Sequence, residues 1–145
     1  MTNKILNNII QRVDKNKAIG IIYNCPKPQQ EIYKNNLFPK QKAIIINGRD
    51  AYTAPMLQFR LGNLFKMKDL TFSQVPALLD GRMIVIINAD IIKPSYSRVI
   101  NDFFKYKVPM IIFMNTDTAM KDFRNLGSYQ QVLTIEKDFN SSNRN

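Results

Sequence analysis

The chain has 145 residues and a mass of 16.8 kDa, enough for one domain with a sizeable core, and 45% of its residues are hydrophobic against 22% charged. It contains no histidine and one cysteine, Cys25, which excludes an internal disulfide, a zinc constellation and Cys–His or Ser–His–Asp nucleophilic chemistry. Net charge is +10 and unevenly placed: residues 1–68 hold 12 of the 21 Lys and Arg but 3 of the 11 Asp and Glu, so this segment carries +9 and the remainder +1. A one-sided positive field favours polyanions, nucleic acid first and an anionic membrane surface second.

The opening MTNKILNNIIQRVDKNK interrupts its apolar residues with Asn, Gln and charge, so it lacks the continuous apolar core of a secretory signal. No stretch approaches the ~20 apolar residues of a membrane span. A cytoplasmic protein without a membrane span is expected, or one inside a host cell if the chain is viral or from a phage. The abundance of Ile, Asn and Lys fits AT-rich coding in such sources.

In chain order, Ile5, Leu6, Ile9, Ile10 and Val13 recur at helical spacing and predict a helix over residues 1–17, capped by Thr2 or Asn3. Residues 18–23 read as a short buried strand. The following NCPKPQQEIYKNNLFPKQ has three prolines and predicts a loop with one short helical turn around residues 29–34. From Lys42 onward three apolar runs, at 43–47, 83–88 and 110–115, lack polar alternation, as strands covered on both faces do. Pro55 suits the first position of a helix that places Leu57, Leu61, Leu64 and Phe65 on one face and turns Arg60, Lys66 and Lys68 elsewhere.

A second helix is predicted over residues 95–107 after Pro94, with Tyr96, Val99, Ile100, Phe103 and Phe104 as its stripe. A third, shorter one follows Thr118 and stops near Gly127. Residues 129–135 read as a last strand, and the polar tail 138–145 is expected to be disordered. Strands alternating with helices predict a single α/β domain over residues 1–137, a three-layer sandwich with a mainly parallel central sheet behind an N-terminal helix.

In open α/β sheets ligands sit outside the carboxyl ends of the strands. Here those ends are Asn47-Gly48-Arg49-Asp50, Asn88-Ala89-Asp90 and Asn115-Thr116-Asp117. Asn and Asp also end strands and cap helices for local hydrogen-bonding reasons, so the pattern admits a purely structural reading. The succession of strand, glycine loop, helix, strand with polar end and strand ending in Asn resembles the core of P-loop ATPases, in particular the compact viral superfamily 3 helicases. The resemblance covers about residues 42–135.

Laid on G-x-x-x-x-G-K-[ST], Gly48 takes the first glycine, but Thr53 stands for the second glycine, Ala54 for the lysine and Pro55 for the hydroxyl residue. The backbone curl, the phosphate-neutralising cation and the Mg²⁺-holding hydroxyl are thereby all missing. At the Walker B position Asn88 replaces the metal-linked Asp, Ala89 replaces the Glu, and Asp90 is displaced. Asn115 alone fits, as the family's sensor. The resemblance therefore implies a degenerate domain with no cofactor and no ATPase activity through this loop.

Lost nucleotide chemistry with a retained basic half points to a non-catalytic nucleic-acid-binding or DNA-replication assembly module. Its candidate contacts are Lys42, Arg49, Tyr52, Arg60, Lys66 and Lys68, grouped near the former phosphate end. Phe59, Phe65 and Phe72 interleave with these cations. Phe65 continues the helix stripe and is assigned to the core, and Tyr52 is the leading stacking candidate. The partners admitted are nucleic acid, a replication protein or helicase, and further copies of the chain. Two alternatives stay open: a metal-dependent nuclease or phosphotransferase using Asp50, Asp90 and Asp117, and an interaction protein that inhibits or loads a partner ATPase.

Overall fold

Short apolar strands that alternate with amphipathic helices must bury both faces of their sheet, and the chain does so in a mixed α/β arrangement. A computed structural model describes residues 2–22, 25–39, 42–89, 102–103, 105–115 and 132–134. The predicted helices over 95–107 and after Thr118 fall largely outside these residues, as do Asp90, Asp117 and the tail.

The elements are α1 (Thr2–Asn16), β1 (Ile19–Ile22), α2 (Lys27–Leu37), β2 (Ala43–Asn47), α3 (Ala54–Phe65), α4 (Val75–Leu79), β3 (Met83–Ile87), β4 (Met110–Phe113) and β5 (Val132–Thr134). Single 3₁₀ turns at Gly48–Asp50 and Phe72–Gln74 lead into α3 and α4. The five strands form one sheet in the order β2-β3-β4-β1-β5, and every pairing is parallel.

The first helix and the strand predicted over 18–23 form as expected, within a residue or so at each end. The proline-rich segment differs from expectation. Instead of a loop it contains α2, eleven residues long, with Pro26 at the N-cap and Pro28 in the first turn. Proline is tolerated there because the first helical amides have no intrahelical acceptor, and its fixed φ already suits the helix.

One side of the sheet carries Ile19, Ile21, Ile44, Ile46, Ile84, Ile86, Met110 and Ile112 packed with Leu57 and Leu61 of α3, Leu79 of α4 and Phe103. The other carries Ile22, Val85, Ile87, Ile111 and Phe113 packed with Leu6, Ile9 and Val13 of α1 and Tyr33 of α2. Gly20 lets α1 close on the sheet: a Cβ there would lie 3.0–3.2 Å from Ile111, Val13 and Ile9 side chains. Three helical segments end alike, on a lysine in left-handed conformation, at Lys17, Lys66 and Lys107. In each the next residue's amide reaches back five positions, Ala18 to Val13, Met67 to Gly62 and Val108 to Phe103, at 2.8–3.1 Å.

The two faces of α3 differ sharply, and stability should follow burial. Leu57 is fully buried and Phe59 is 72% exposed. Leu57→Ala should cost about 3 kcal/mol, while Phe59→Ala should change stability by no more than about 0.5 kcal/mol in the same denaturant titration.

Candidate functional site

Strand order decides where a ligand site belongs. From β1 the chain travels past β4 and β3 to the edge strand β2, whereas from β4 it travels past β1 to β5. Connections leaving adjacent strands in opposite directions open a crevice at the carboxyl ends of β1 and β4. The Gly48 loop follows β2 and so stands at the sheet edge.

Backbone and amide groups link the described elements beside the crevice. The Met114 amide donates to Ile22 O at 2.8 Å, and the Cys25 amide donates to Met114 O at 2.9 Å, so the ladder between β1 and β4 continues beyond both strands. Gln30, on the first turns of α2 and 1% exposed, then spans two elements. Its Nε2 donates to Cys25 O at 2.9 Å, and its Oε1 accepts the Asn88 amide at 2.9 Å. The start of α2 offers an anion few donors, because Pro26 and Pro28 carry no N–H. Cys25 is buried beside it, and desolvation pushes its thiol from 9.0 to about 12.

Asn88 extends the chain of bonds to the sheet edge. It sits at φ 54°, a left-handed conformation that Asn tolerates better than most residues, and its Nδ2 donates to Asn47 Oδ1 at 3.3 Å. Asn47 Oδ1 also accepts the Arg49 amide at 3.0 Å, capping the 3₁₀ turn. Gly48 is required by close approach: a Cβ on it would lie 2.4 Å from Asn88 O. Thr53 caps α3 by accepting the Met56 amide, and the Ala51 amide is spent on Gly48 O. The Arg49, Ala51 and Met56 amides of the Gly48–Pro55 region are therefore engaged within the loop, with Ala54 and Pro55 forming the first turn of α3.

Asn115 is exposed just past β4, and Asp50 lies exposed in the 3₁₀ turn. Asp90 and Asp117 fall outside the described residues. Among the described residues no three His, Cys, Asp or Glu side chains group as metal ligands would.

The cations divide into three places. Arg49 and Arg60 line a groove of about 520 Å³ together with Asp50 and Phe59. Lys66 and Lys68 line a second groove, of about 560 Å³, with Asp69 and the same Phe59. Because α3 runs for twelve residues, roughly 18 Å at 1.5 Å per residue, the lysines at its end stand well away from the carboxyl ends of the strands. Lys42 precedes β2 and lines a separate cavity of about 300 Å³ with Asp14.

The aromatic residues sort by burial. Phe65 packs against the core with the Arg82 guanidinium 5.8 Å from its ring centroid, and Phe72 meets Phe103 edge-to-face at 5.1 Å. Tyr52 is half-buried. Among the described residues Phe59 is the most exposed aromatic, at 72% against 38% for Tyr106, and it lines both basic grooves. Sequence reasoning named it among the aromatics interleaved with the cations but preferred Tyr52 for stacking, although its spacing of two from Leu57 and from Leu61 already set it opposite the buried stripe. The chain matches no protein-family model and no curated protein.

Two measurements check this geometry. Gln30→Met should lower the unfolding free energy by about 2–4 kcal/mol, because it strands the Asn88 amide and the Cys25 carbonyl, and a shifted urea midpoint would record it. The Cys25 thiol should resist alkylation at pH 8 until the chain is unfolded. Its folded pKa lies above the unfolded one, so stability should be intact below about pH 9 and then fall by at most about 1.4 kcal/mol per pH unit toward pH 12, which Cys25→Ala should abolish.

Proposed function

We propose that this chain is a non-catalytic nucleic-acid-binding or replication-assembly module, built on a degenerate P-loop-like three-layer α/β sandwich. The observation that carries the reading is the surface of α3, where Arg49, Arg60, Lys66 and Lys68 flank two grooves against two aspartates. A phosphate backbone is the polyanion such a strip suits, and its contacts would be sequence-independent.

The absence of chemistry in this reading is supported by the crevice between β1 and β4. A nucleotide loop belongs at that switch point, which shifts the likeness from the loop after β2 to the one after β1. Laid on G-x-x-x-x-G-K-[ST] from Tyr23, Pro28 takes the second glycine, Gln29 the lysine and Gln30 the hydroxyl residue. In P-loop enzymes the hydroxyl and the Walker B carboxylate both hold Mg²⁺. Here Gln30 at the first position accepts the backbone N–H of Asn88, the residue at the second, at 2.9 Å, and both positions carry neutral amides.

Titrating a fluorescent oligonucleotide at several salt concentrations tests the reading. With four phosphates neutralised, log K should fall against log salt with a slope of about −2.8 for a single strand, and Arg49→Ala with Arg60→Ala should halve that slope, reducing it by about 1.4. Binding that is absent at low salt, or unchanged by salt, would overturn it.

A further inference from the structure

We infer that Phe59 is a stacking platform for an unpaired base, so that the nucleic acid this surface takes is single-stranded. The inference rests on the α3 surface proposed above and adds to it the kind of strand bound. Pro55, Phe59 and Asn63 follow one another at helical spacing of four and belong to both grooves, forming the ridge that separates them. Arg49 and Arg60 lie on one side of this ridge, and Lys66 and Lys68 on the other.

A strand crossing the ridge would set phosphates toward cations on both sides and bring a base over the ring between them. Single strands offer such a base face at little cost, and stacking on an aromatic ring adds affinity without sequence preference. In a duplex the base faces are already stacked, and only their edges and the phosphates remain to be met. Asp50 lines one groove and Asp69 the other, whereas the shared ridge of Pro55, Phe59 and Asn63 carries no acidic residue, which favours the ridge as the crossing. A lone exposed phenylalanine is ordinary on a protein surface. Four cations arranged on both sides of it are what distinguish this one, and they favour a polyanion over an apolar peptide.

The chain contains no tryptophan, so Phe59→Trp introduces a single indole at the ridge and leaves the core untouched. Titration of this full-length variant with oligothymidylate, oligouridylate and a matched duplex should quench its fluorescence with both single strands and leave it nearly unchanged with the duplex. Phe59→Leu keeps apolar area without a π-face and should weaken single-strand binding by about 10-fold while duplex affinity is unaltered. Quenching by only one of the single strands would still support stacking and would assign the sugar that the grooves accept.

If both single strand and duplex bind with salt sensitivity but the indole is not quenched and Phe59→Leu binds normally, stacking is overturned while the electrostatic reading stands. If no nucleic acid binds, both fail. Polyglutamate binding as tightly as the oligonucleotides, again without quenching, would overturn the inference in favour of an acidic protein partner.

Discussion

The carboxyl end of the sheet depends on one side-chain amide. Gln30, itself 1% exposed, uses both halves of its amide at once, Nε2 toward Cys25 O in a buried bond and Oε1 toward the backbone amide of Asn88 in a part-buried one, each at 2.9 Å. Hydrogen bonds of this kind contribute modestly when made and cost far more when one partner is removed. Around this amide the remaining bonds follow in order. Cys25 is joined to Met114, and Asn88 to Asn47, so that the ends of β1, β4, β3 and β2 share one continuous set of contacts. The left-handed backbone at Asn88 and the missing side chain at Gly48 are the local conditions under which this set can close.

That closure changes the meaning of the topology. A parallel sheet with connections diverging from β1 and β4 forms a crevice by construction, and in many α/β proteins the crevice is where chemistry is done. Among the described residues an amide bridge ties elements beside it together, and two prolines open α2 there. The surface proposed for binding lies elsewhere, along α3. α3 qualifies because its buried stripe, Leu57 and Leu61, is satisfied by the core, which frees its outer residues from any packing role.

Much of the architecture was legible in the sequence. Unbroken apolar runs announced strands buried on both faces, and β2, β3 and β4 lie where the runs at 43, 83 and 110 begin. The helix at Lys27–Leu37 was not legible, because three prolines in eighteen residues read as breakers, although two of them sit at positions a helix start tolerates. Strand order was hidden for a different reason. Periodicity reports which faces a strand buries and carries no information about its neighbours, so β1, only four residues long, gave no sign that it lies between β4 and β5. The site was partly legible in consequence. Arg49, Arg60, Lys66 and Lys68 do line the grooves of one helix, but Lys42 lies at another cavity, and the ring between the grooves is Phe59.

The three asparagines that end the strands illustrate how one residue type carries different meanings. Asn47 caps a turn and accepts from Asn88, and Asn88 supplies a left-handed corner and a donor. Asn115 lies exposed just beyond β4. A carboxylate at position 88 would place negative charge beside Asn47 Oδ1, where the Asn88 amide donates instead. Neutral amides, which both donate and accept, link the strand ends without that repulsion. The amide at position 88 therefore suits a sheet end whose strands are tied to one another by neutral hydrogen bonds.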